Sequence, residues 1–144
     1  MKVLFDTSVL ISALVDSHVF QARALPLLDR AQSGEFEWYV SQHTVAEIYR
    51  VLTSMKPTRD IPTSAVGKLL EENIFARSSV VSLTPDDYRK IISRQAELGN
   101  RSGAIFDALI AHAAQKVGAE RLYTFNPDHF LRVWPEGAGI VTVP

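Results

Sequence analysis

Short apolar runs alternate with longer stretches of helical periodicity along the chain, and this alternation is the feature that most constrains the fold. The runs predicted to be buried strands cover residues 3–5, 37–40, 80–83, 122–124 and 139–143. Strands that alternate with helices are typical of an α/β domain whose parallel sheet is covered by helices on both faces. The pattern therefore predicts a single α/β/α sandwich over residues 1–144, with a central, mostly parallel, twisted sheet.

The segments between these strands carry helix signals. Helices are predicted over 9–15, 19–31, 41–54, 63–76, 102–117 and 126–131, and a further helix begins at Thr84. Pro26 is predicted to kink or restart the second helix, because a proline inside a helix removes a backbone hydrogen bond. The segment 56–62 contains two prolines and is predicted to be a loop.

Composition excludes several classes of protein. The 144 residues include no cysteine, so disulfides and thiolate chemistry are excluded. The net charge of −1 gives no sign of nucleic-acid binding, although local patches matter more than the sum. No apolar run approaches the ~18–20 residues that cross a bilayer, and the N-terminus turns acidic too soon for a signal peptide. We therefore expect a cytoplasmic protein with no membrane partner.

One carboxylate, Asp107, interrupts an apolar helical stretch. Its neighbours three and four positions away are small or apolar: Gly103, Ala104, Ile110 and Ala111. A buried carboxylate is strongly disfavoured without a partner, so either a cation at a functional site or a buried ion pair with Arg101 or Arg121 is required. Helix capping is the weaker explanation, because Ser102 is better placed to cap and Asp107 falls beyond the predicted first turn.

Two further acids have both a structural and a functional interpretation. Asp6 directly follows the first strand, where sites form in open α/β sheets, but Asp is also a good helix cap. Glu47 lies on the polar side of its helix, and Thr44 with Glu47 matches a capping box. His43 precedes Glu47 by four residues, so these two side chains could instead share a metal ion.

Asn126 and Asp128 follow the fourth predicted strand. Asn126 before Pro127 is typical of a helix N-cap, and Asp128 then lies in the first turn, where an acid is favoured. Both residues therefore have a structural explanation. Their position at the carboxyl end of a strand keeps a functional role open.

The chemistry of an acidic cluster is specific if Asp6, Glu47 and Asp107 converge. Three nearby carboxylates raise one another's pKa unless a cation is present. Oxygen ligands without cysteine favour Mg²⁺ or Mn²⁺. Such a metal lowers the pKa of a bound water and stabilises a leaving oxygen, which matches hydrolysis of a phosphodiester.

Four segments together resemble the PIN-domain nucleases: VLFDTSVLI, VAEIYRVL, IFDALIAHAA and LYTFNPDHF. The resemblance spans nearly the whole chain, and the size of the chain is similar to that of the VapC-like toxins of bacterial type II toxin–antitoxin pairs. It implies a PIN-like α/β/α fold and an Mg²⁺- or Mn²⁺-dependent endoribonuclease that cleaves RNA with a metal-activated water. It also implies a homodimer and an antitoxin whose tail occupies the active-site groove.

The resemblance assigns roles by motif. Asp6, Glu47 and Asp107 correspond to the catalytic acids; Asp6 and Asp107 are the expected metal ligands, and Glu47 and Asp128 are further candidates. Ser8 and Thr124 fall on hydroxyl positions that support the site. Asn126 stands where the family has a fourth acid; an amide brings no charge there, and Asp128 is the residue that could replace it.

Two other functions stay open at this point. A PIN nuclease of housekeeping RNA processing would use the same chemistry. A non-catalytic PIN-fold binding protein is favoured by Asn126 and disfavoured by the three retained acids.

Overall fold

The computed structural model describes residues 1–56 and 58–144. The strands are β1 (Lys2–Phe5), β2 (Glu37–Ser41), β3 (Ser79–Val81), β4 (Arg121–Tyr123) and β5 (Val141–Thr142). The α-helices are α1 (Thr7–Leu14), α2 (Gln21–Gln32), α3 (Gln42–Ser54), α4 (Thr63–Leu70), α5 (Pro85–Leu98), α6 (Ala104–Val117) and α7 (Pro127–Val133). No helix among these residues is long and apolar enough to cross a membrane.

The five strands form one parallel sheet in the order β3-β2-β1-β4-β5. In the central strand, Leu4 is in register with Tyr39 of β2 and with Leu122 of β4. The chain builds outward from β1 through β2 to β3 and then returns to the other side of β1. Because the direction reverses between β1 and β4, their carboxyl ends form the crevice where ligands bind in open α/β sheets.

Helices cover both faces of this sheet. Val3 and Phe5 of β1 pack into one core with residues of α1 to α4, and Leu4 packs into a second core with residues of α5 to α7. This division follows from the strand geometry, since successive side chains point to opposite faces. The predicted α/β/α sandwich with a parallel sheet is confirmed.

Two helix predictions need correction. Pro26 lies inside α2, which continues through it as one helix. Both Pro26 and Ala22, four residues before it, are exposed, so water can hydrogen-bond the carbonyl that the proline leaves free. The helix predicted over 63–76 ends its α-helical part at Leu70 and continues as a π-helical turn over Glu71–Phe75, which buries Ile74 completely. The predicted loop 56–62 contains Pro57, which lies outside the described residues.

Candidate active site

Asp6 lies at the carboxyl end of β1, and both its backbone and its side chain are hydrogen-bonded to neighbouring residues. Its N–H donates to the Tyr123 carbonyl (3.0 Å), which continues the pairing of β1 with β4. Its Oδ1 accepts from the Thr7 N–H (2.7 Å), and its Oδ2 accepts from Ser8 Oγ (2.7 Å) and Thr124 Oγ1 (2.8 Å). Asp6 therefore caps α1, as one of the two interpretations of the sequence expected, and is buried at the same time.

Burial raises the pKa of the Asp6 carboxyl group, against the hydrogen bonds from Ser8, Thr124 and Thr7, which lower it. The nearby charge of Asp107 raises this pKa further. Three donors occupy three of the ~four lone-pair positions of a carboxylate. One position on Oδ1 therefore remains for another partner.

Asp107 lies in the first turn of α6, not beyond it as predicted. The reason is that α6 begins at Ala104, two residues later than the sequence pattern indicates. Ser102 has a φ of 54° and stands outside the helix, and the N-cap is Gly103, which has no side chain to accept a capping bond from a backbone N–H. The prediction that Ser102 caps this helix is therefore wrong.

The surroundings of Asp107 also differ from the predicted alternative, a buried ion pair with Arg101 or Arg121. His129 Nδ1 lies 4.0 Å from its Oδ2, and neither Arg101 nor Arg121 pairs with it in the part of the chain that the structure describes. The Asp107 side chain is 29% exposed. Partial burial raises the pKa of its carboxyl group, the charge of His129 lowers it, and the charge of Glu47 raises it.

Glu47 lies in α3, one turn beyond the capping region. Ser41 is the N-cap of this helix: its Oγ accepts from the Thr44 N–H (3.0 Å). The capping box predicted for Thr44 and Glu47 is therefore wrong. Instead, Glu47 Oε2 lies 2.9 Å from His43 Nε2, and the other carboxylate oxygen is left for a further partner.

A cleft of about 420 Å³ opens over the carboxyl ends of β1 and β4. Asp6, Glu47 and Asp107 line it together with Ser8 and Asn126. Thr124 lies beneath the cleft, fully buried, and reaches it through its bond to Asp6. The fold therefore brings the three predicted acids to one opening.

Asn126 and Asp128 are placed differently from each other. Asn126 is exposed and lines the cleft, its N–H donates to Thr124 Oγ1 (2.9 Å), and its side chain makes no capping bond to α7. Asp128 is exposed and is not among the residues that line the cleft.

The cleft lining also includes residues that were not predicted as site residues, among them His18, Phe20, Phe125 and His129. Phe125 and His129 follow β4 within the segment quoted above, so their position at the end of a strand was an available signal. His18 and Phe20 lie in the connection between α1 and α2, which carries no such signal, and only the packing of Phe20 on Phe125 brings them to the site.

The donor set fits a hard divalent cation in its chemistry. The acids of the cleft offer oxygen ligands with free lone pairs, and burial raises the pKa of the Asp6 and Asp107 carboxyl groups, so their charged forms lack part of the hydration that they have in water. Among the described residues, no three His, Asp or Glu side chains stand close enough to ligate one ion directly. Mg²⁺ commonly uses one or two carboxylates and several waters, so the arrangement suits a partly hydrated ion.

Several solved structures share this fold. VapC20 of Mycobacterium tuberculosis, a sarcin–ricin-loop-cleaving toxin, is similar at 15% identity and a TM-score of 0.73, with 99% of each chain covered. FitAcB of Neisseria gonorrhoeae is similar at 21% identity and a TM-score of 0.65, with 96% of this chain and 95% of that chain covered. VapBC2 of Rickettsia felis, bound to a DNA fragment from its promoter, is similar at 18% identity and a TM-score of 0.66, with 100% of this chain and 99% of that chain covered.

At these identities the structural likeness shows the fold alone. No curated protein matches the sequence closely enough to count as a relative. The profile of the PIN domain, however, matches residues 3–133, which include all three acids of the cleft, β1 apart from its first residue, and the whole of β2 to β4. The chain belongs to the PIN domain family.

Proposed function

We propose that this protein is a divalent-metal-dependent endoribonuclease and the toxin of a type II toxin–antitoxin pair. One observation carries the proposal: Asp6, Glu47 and Asp107 line one cleft at the point where the strand order reverses. Membership of the PIN domain family and the shared fold with VapC20, a toxin that cleaves the sarcin–ricin loop, support it.

Each acid has a distinct position in this proposal. Asp6 and Asp107 would hold Mg²⁺ or Mn²⁺, and Glu47 would contact the ion through water, since the three do not meet at one point. The cation would supply the positive charge that activates water and stabilises the leaving oxygen. Ser8 and Thr124 fix the rotamer of Asp6 by donating to its Oδ2. Asn126 offers an uncharged amide at the rim of the cleft. Asp128 is a candidate metal ligand only if α7 moves.

The proposed partners are an RNA substrate, an antitoxin and a second copy of the chain. The similarity of the fold to VapBC2 and FitAcB supports an antitoxin partner. We propose that the antitoxin covers the cleft and that the enzyme acts in the cytoplasm. Light scattering should find twice the mass of one chain if the homodimer forms.

Cleavage of RNA by the purified protein tests the enzymatic part. We expect cleavage in Mg²⁺ or Mn²⁺, none in EDTA, and a loss of at least ~100-fold for Asp6→Asn, Asp107→Asn or Glu47→Gln, in line with a general contribution of 10²–10⁴ per catalytic group. Asp29→Asn, an exposed acid on α2 away from the cleft, should keep full activity.

Folding controls separate a catalytic role from a structural one. Each variant should keep its circular dichroism spectrum, while the variants of the cleft lose Mn²⁺ binding by titration calorimetry. Undiminished cleavage by Asp6→Asn and Asp107→Asn would exclude the proposed mechanism.

A non-catalytic binding protein is the second candidate, and Asn126 is the residue that favours it. Absence of both Mn²⁺ binding and cleavage in the folded wild-type chain would support this alternative.

A growth assay distinguishes a toxin from a housekeeping nuclease. If the protein is a toxin, its expression should arrest growth, and expression of the Asp107→Asn variant should leave growth unaffected. A housekeeping nuclease would cleave RNA without arresting growth.

A further inference from the structure

Two pairs of stacked rings adjoin the acids of the cleft: one pair lines the cleft itself, and the other lies outside its lining, next to Glu47 and Asp107. The first is Phe20 with Phe125, whose ring centres are 4.5 Å apart with planes inclined by 15°. Phe125 follows β4, and its N–H donates to Ser8 Oγ (3.0 Å), the hydroxyl that also donates to Asp6. The position of this pair is therefore fixed by the same hydrogen bonds that hold the Asp6 carboxylate.

The second pair is His43 with Phe106, with centres 4.9 Å apart and planes inclined by only 2°. His43 belongs to α3, which follows β2, and is hydrogen-bonded to Glu47 (2.9 Å). Phe106 immediately precedes Asp107 in α6. Each ring of this pair is therefore tied to one of the acids of the cleft.

The outer ring of each pair is exposed. Phe106 is 49% exposed and Phe20 is 37% exposed, and neither belongs to a hydrophobic core. Each has one face against its partner, and the His18 ring also lies 6.0 Å from that of Phe20, so part of the Phe20 surface and about half of the Phe106 surface is open to solvent. Flat, immobilised and exposed rings suit the stacking of another flat ring.

Positive charge accompanies the rings. The Arg23 guanidinium lies 5.7 Å from the centre of the Phe20 ring and 5.2 Å from that of Phe125, and it donates to the Pro144 carbonyl. His129 lies 4.0 Å from Asp107, and the charge of Arg132 also acts on this acid. Cationic groups beside aromatic rings match a ligand that combines flat bases with a phosphate backbone.

We propose that the Phe20–Phe125 and His43–Phe106 pairs are stacking sites for two unpaired nucleobases on either side of the scissile phosphate. The proposal rests on the proposed function, since it takes RNA as the substrate. It adds the side chains that would receive the bases of that substrate. A base inside a duplex has both faces covered by its neighbours, whereas an unpaired base is free to stack on an aromatic side chain.

Binding of RNA by the full chain tests this inference. The background is Asp6→Asn in Mg²⁺, which prevents cleavage, and the probe is an unstructured RNA of about eight nucleotides with one base replaced by fluorescent 2-aminopurine. We expect Phe20→Leu and Phe106→Leu each to weaken binding at least ~5-fold and to relieve the quenching of 2-aminopurine fluorescence. Phe106→Trp should retain binding, because the indole ring also stacks.

Phe75→Leu is the matched control. Phe75 is 48% exposed, almost as much as Phe106, but it lies in the turn after α4 and belongs to neither stacked pair. Its substitution should leave RNA binding unchanged. The fully paired duplex of the same sequence should bind at least ~5-fold more weakly than the single strand.

The inference is overturned if both leucine variants bind the single strand as the background does, which would mean that the rings face solvent or a protein partner. Equal binding of duplex and single strand also overturns it. The outcome is separate from that of the proposed function: ring-dependent RNA binding without cleavage by the wild type would reject the nuclease and keep the stacking sites. Cleavage by the wild type together with RNA binding that does not depend on the rings would keep the nuclease and reject the stacking sites.

Discussion

At the scale of single residues, Asp6 is subject to two opposing effects. Burial raises the pKa of its carboxyl group, while three donors, Thr7, Ser8 and Thr124, stabilise the charged form. Thr124 is central to this balance because it is fully buried, donates to Asp6 and accepts the N–H of Asn126. The orientation of the acid therefore depends on a hydroxyl that never reaches solvent.

The variant Thr124→Val tests this dependence. It conserves shape but removes one of the three donors to the Asp6 carboxylate and leaves the Asn126 N–H without its partner, which should lower the free energy of unfolding by about 1–3 kcal/mol. Urea denaturation measures the change. Thr53→Val is the control, because Thr53 Oγ1 donates only to carbonyls of its own helix, and we expect less than about 0.5 kcal/mol. Equal losses in the two variants would contradict this role for Thr124.

Asp107 should reduce the stability of the metal-free protein at neutral pH. Burial raises the pKa of its carboxyl group above the ordinary value of 3.8, so the native state binds the proton more tightly than the unfolded chain does. The contribution of Asp107 to stability is therefore greatest below pH 3.8 and falls as the pH rises from there through the raised native pKa. In EDTA at pH 7, Asp107→Asn should gain about 0.5–1 kcal/mol, or roughly 2–4 °C in Tm, and the two curves should converge in acid.

Asp128→Asn provides the comparison for this prediction. Asp128 also lies in the first turn of a helix, but it is exposed, so its charge interacts favourably with the N-terminus of α7 without a desolvation cost. Its removal should lower Tm slightly. A decrease in Tm for both variants would show that desolvation does not determine the energetics of Asp107.

At the scale of elements, the ends of helices determine where the acids stand. Ser41 caps α3 and places Glu47 in the second turn, and Gly103 is the N-cap of α6, so that Asp107 falls in its first turn. The other end of α6 is closed by Gly118, which has a φ of 68° and whose N–H donates to the carbonyls of Ala114 and Gln115. Only glycine adopts this left-handed conformation without strain.

The same substitution should therefore have opposite effects in two helices. Gly118→Ala should destabilise the protein by about 1 kcal/mol, because alanine is strained at this φ. Gly67→Ala, inside α4 with open space where the new methyl group would lie, should stabilise it by about 0.5–1 kcal/mol through helix propensity. Thermal denaturation of both variants measures the signs, and a shift in the same direction for both would refute the argument.

At the scale of the whole molecule, the sheet order places the functional groups. The reversal between β1 and β4 brings Asp6, Thr124 and Asn126 to one crevice, and α3 and α6 deliver Glu47 and Asp107 to it from the neighbouring parts of the fold. This arrangement leaves a group of acids in partly desolvated positions, which lowers the free energy of unfolding. We expect a bound cation to offset this loss.

Binding of Mg²⁺ should therefore stabilise the whole fold. At a concentration of 100 times its Kd, the ion should raise the free energy of unfolding by about 2.7 kcal/mol, and EDTA should reverse the effect. Differential scanning calorimetry measures this shift, with NaCl at matched ionic strength as the control. A shift of the same size in the Asp6→Asn and Asp107→Asn variants would place the ion elsewhere.

The sequence by itself determined the class of fold and the positions of single acids. The order of strands and helices, the parallel sheet and the location of Asp6 at the end of β1 follow from periodicity and turn residues, which are local properties of the chain. Helix boundaries were less certain: the start of α6 was misplaced by two residues, because Ser102 resembles a cap but adopts a left-handed conformation outside the helix.

Only the tertiary structure decided which of these residues meet. Strand order cannot be read from hydrophobic periodicity, so the cleft shared by Asp6, Glu47 and Asp107 was a hypothesis until the sheet was known. The pairing of Phe20 with Phe125 and of His43 with Phe106 joins segments far apart in the chain. The physical reason is that secondary structure depends on neighbours in sequence, whereas burial, pKa and ring stacking depend on neighbours in space.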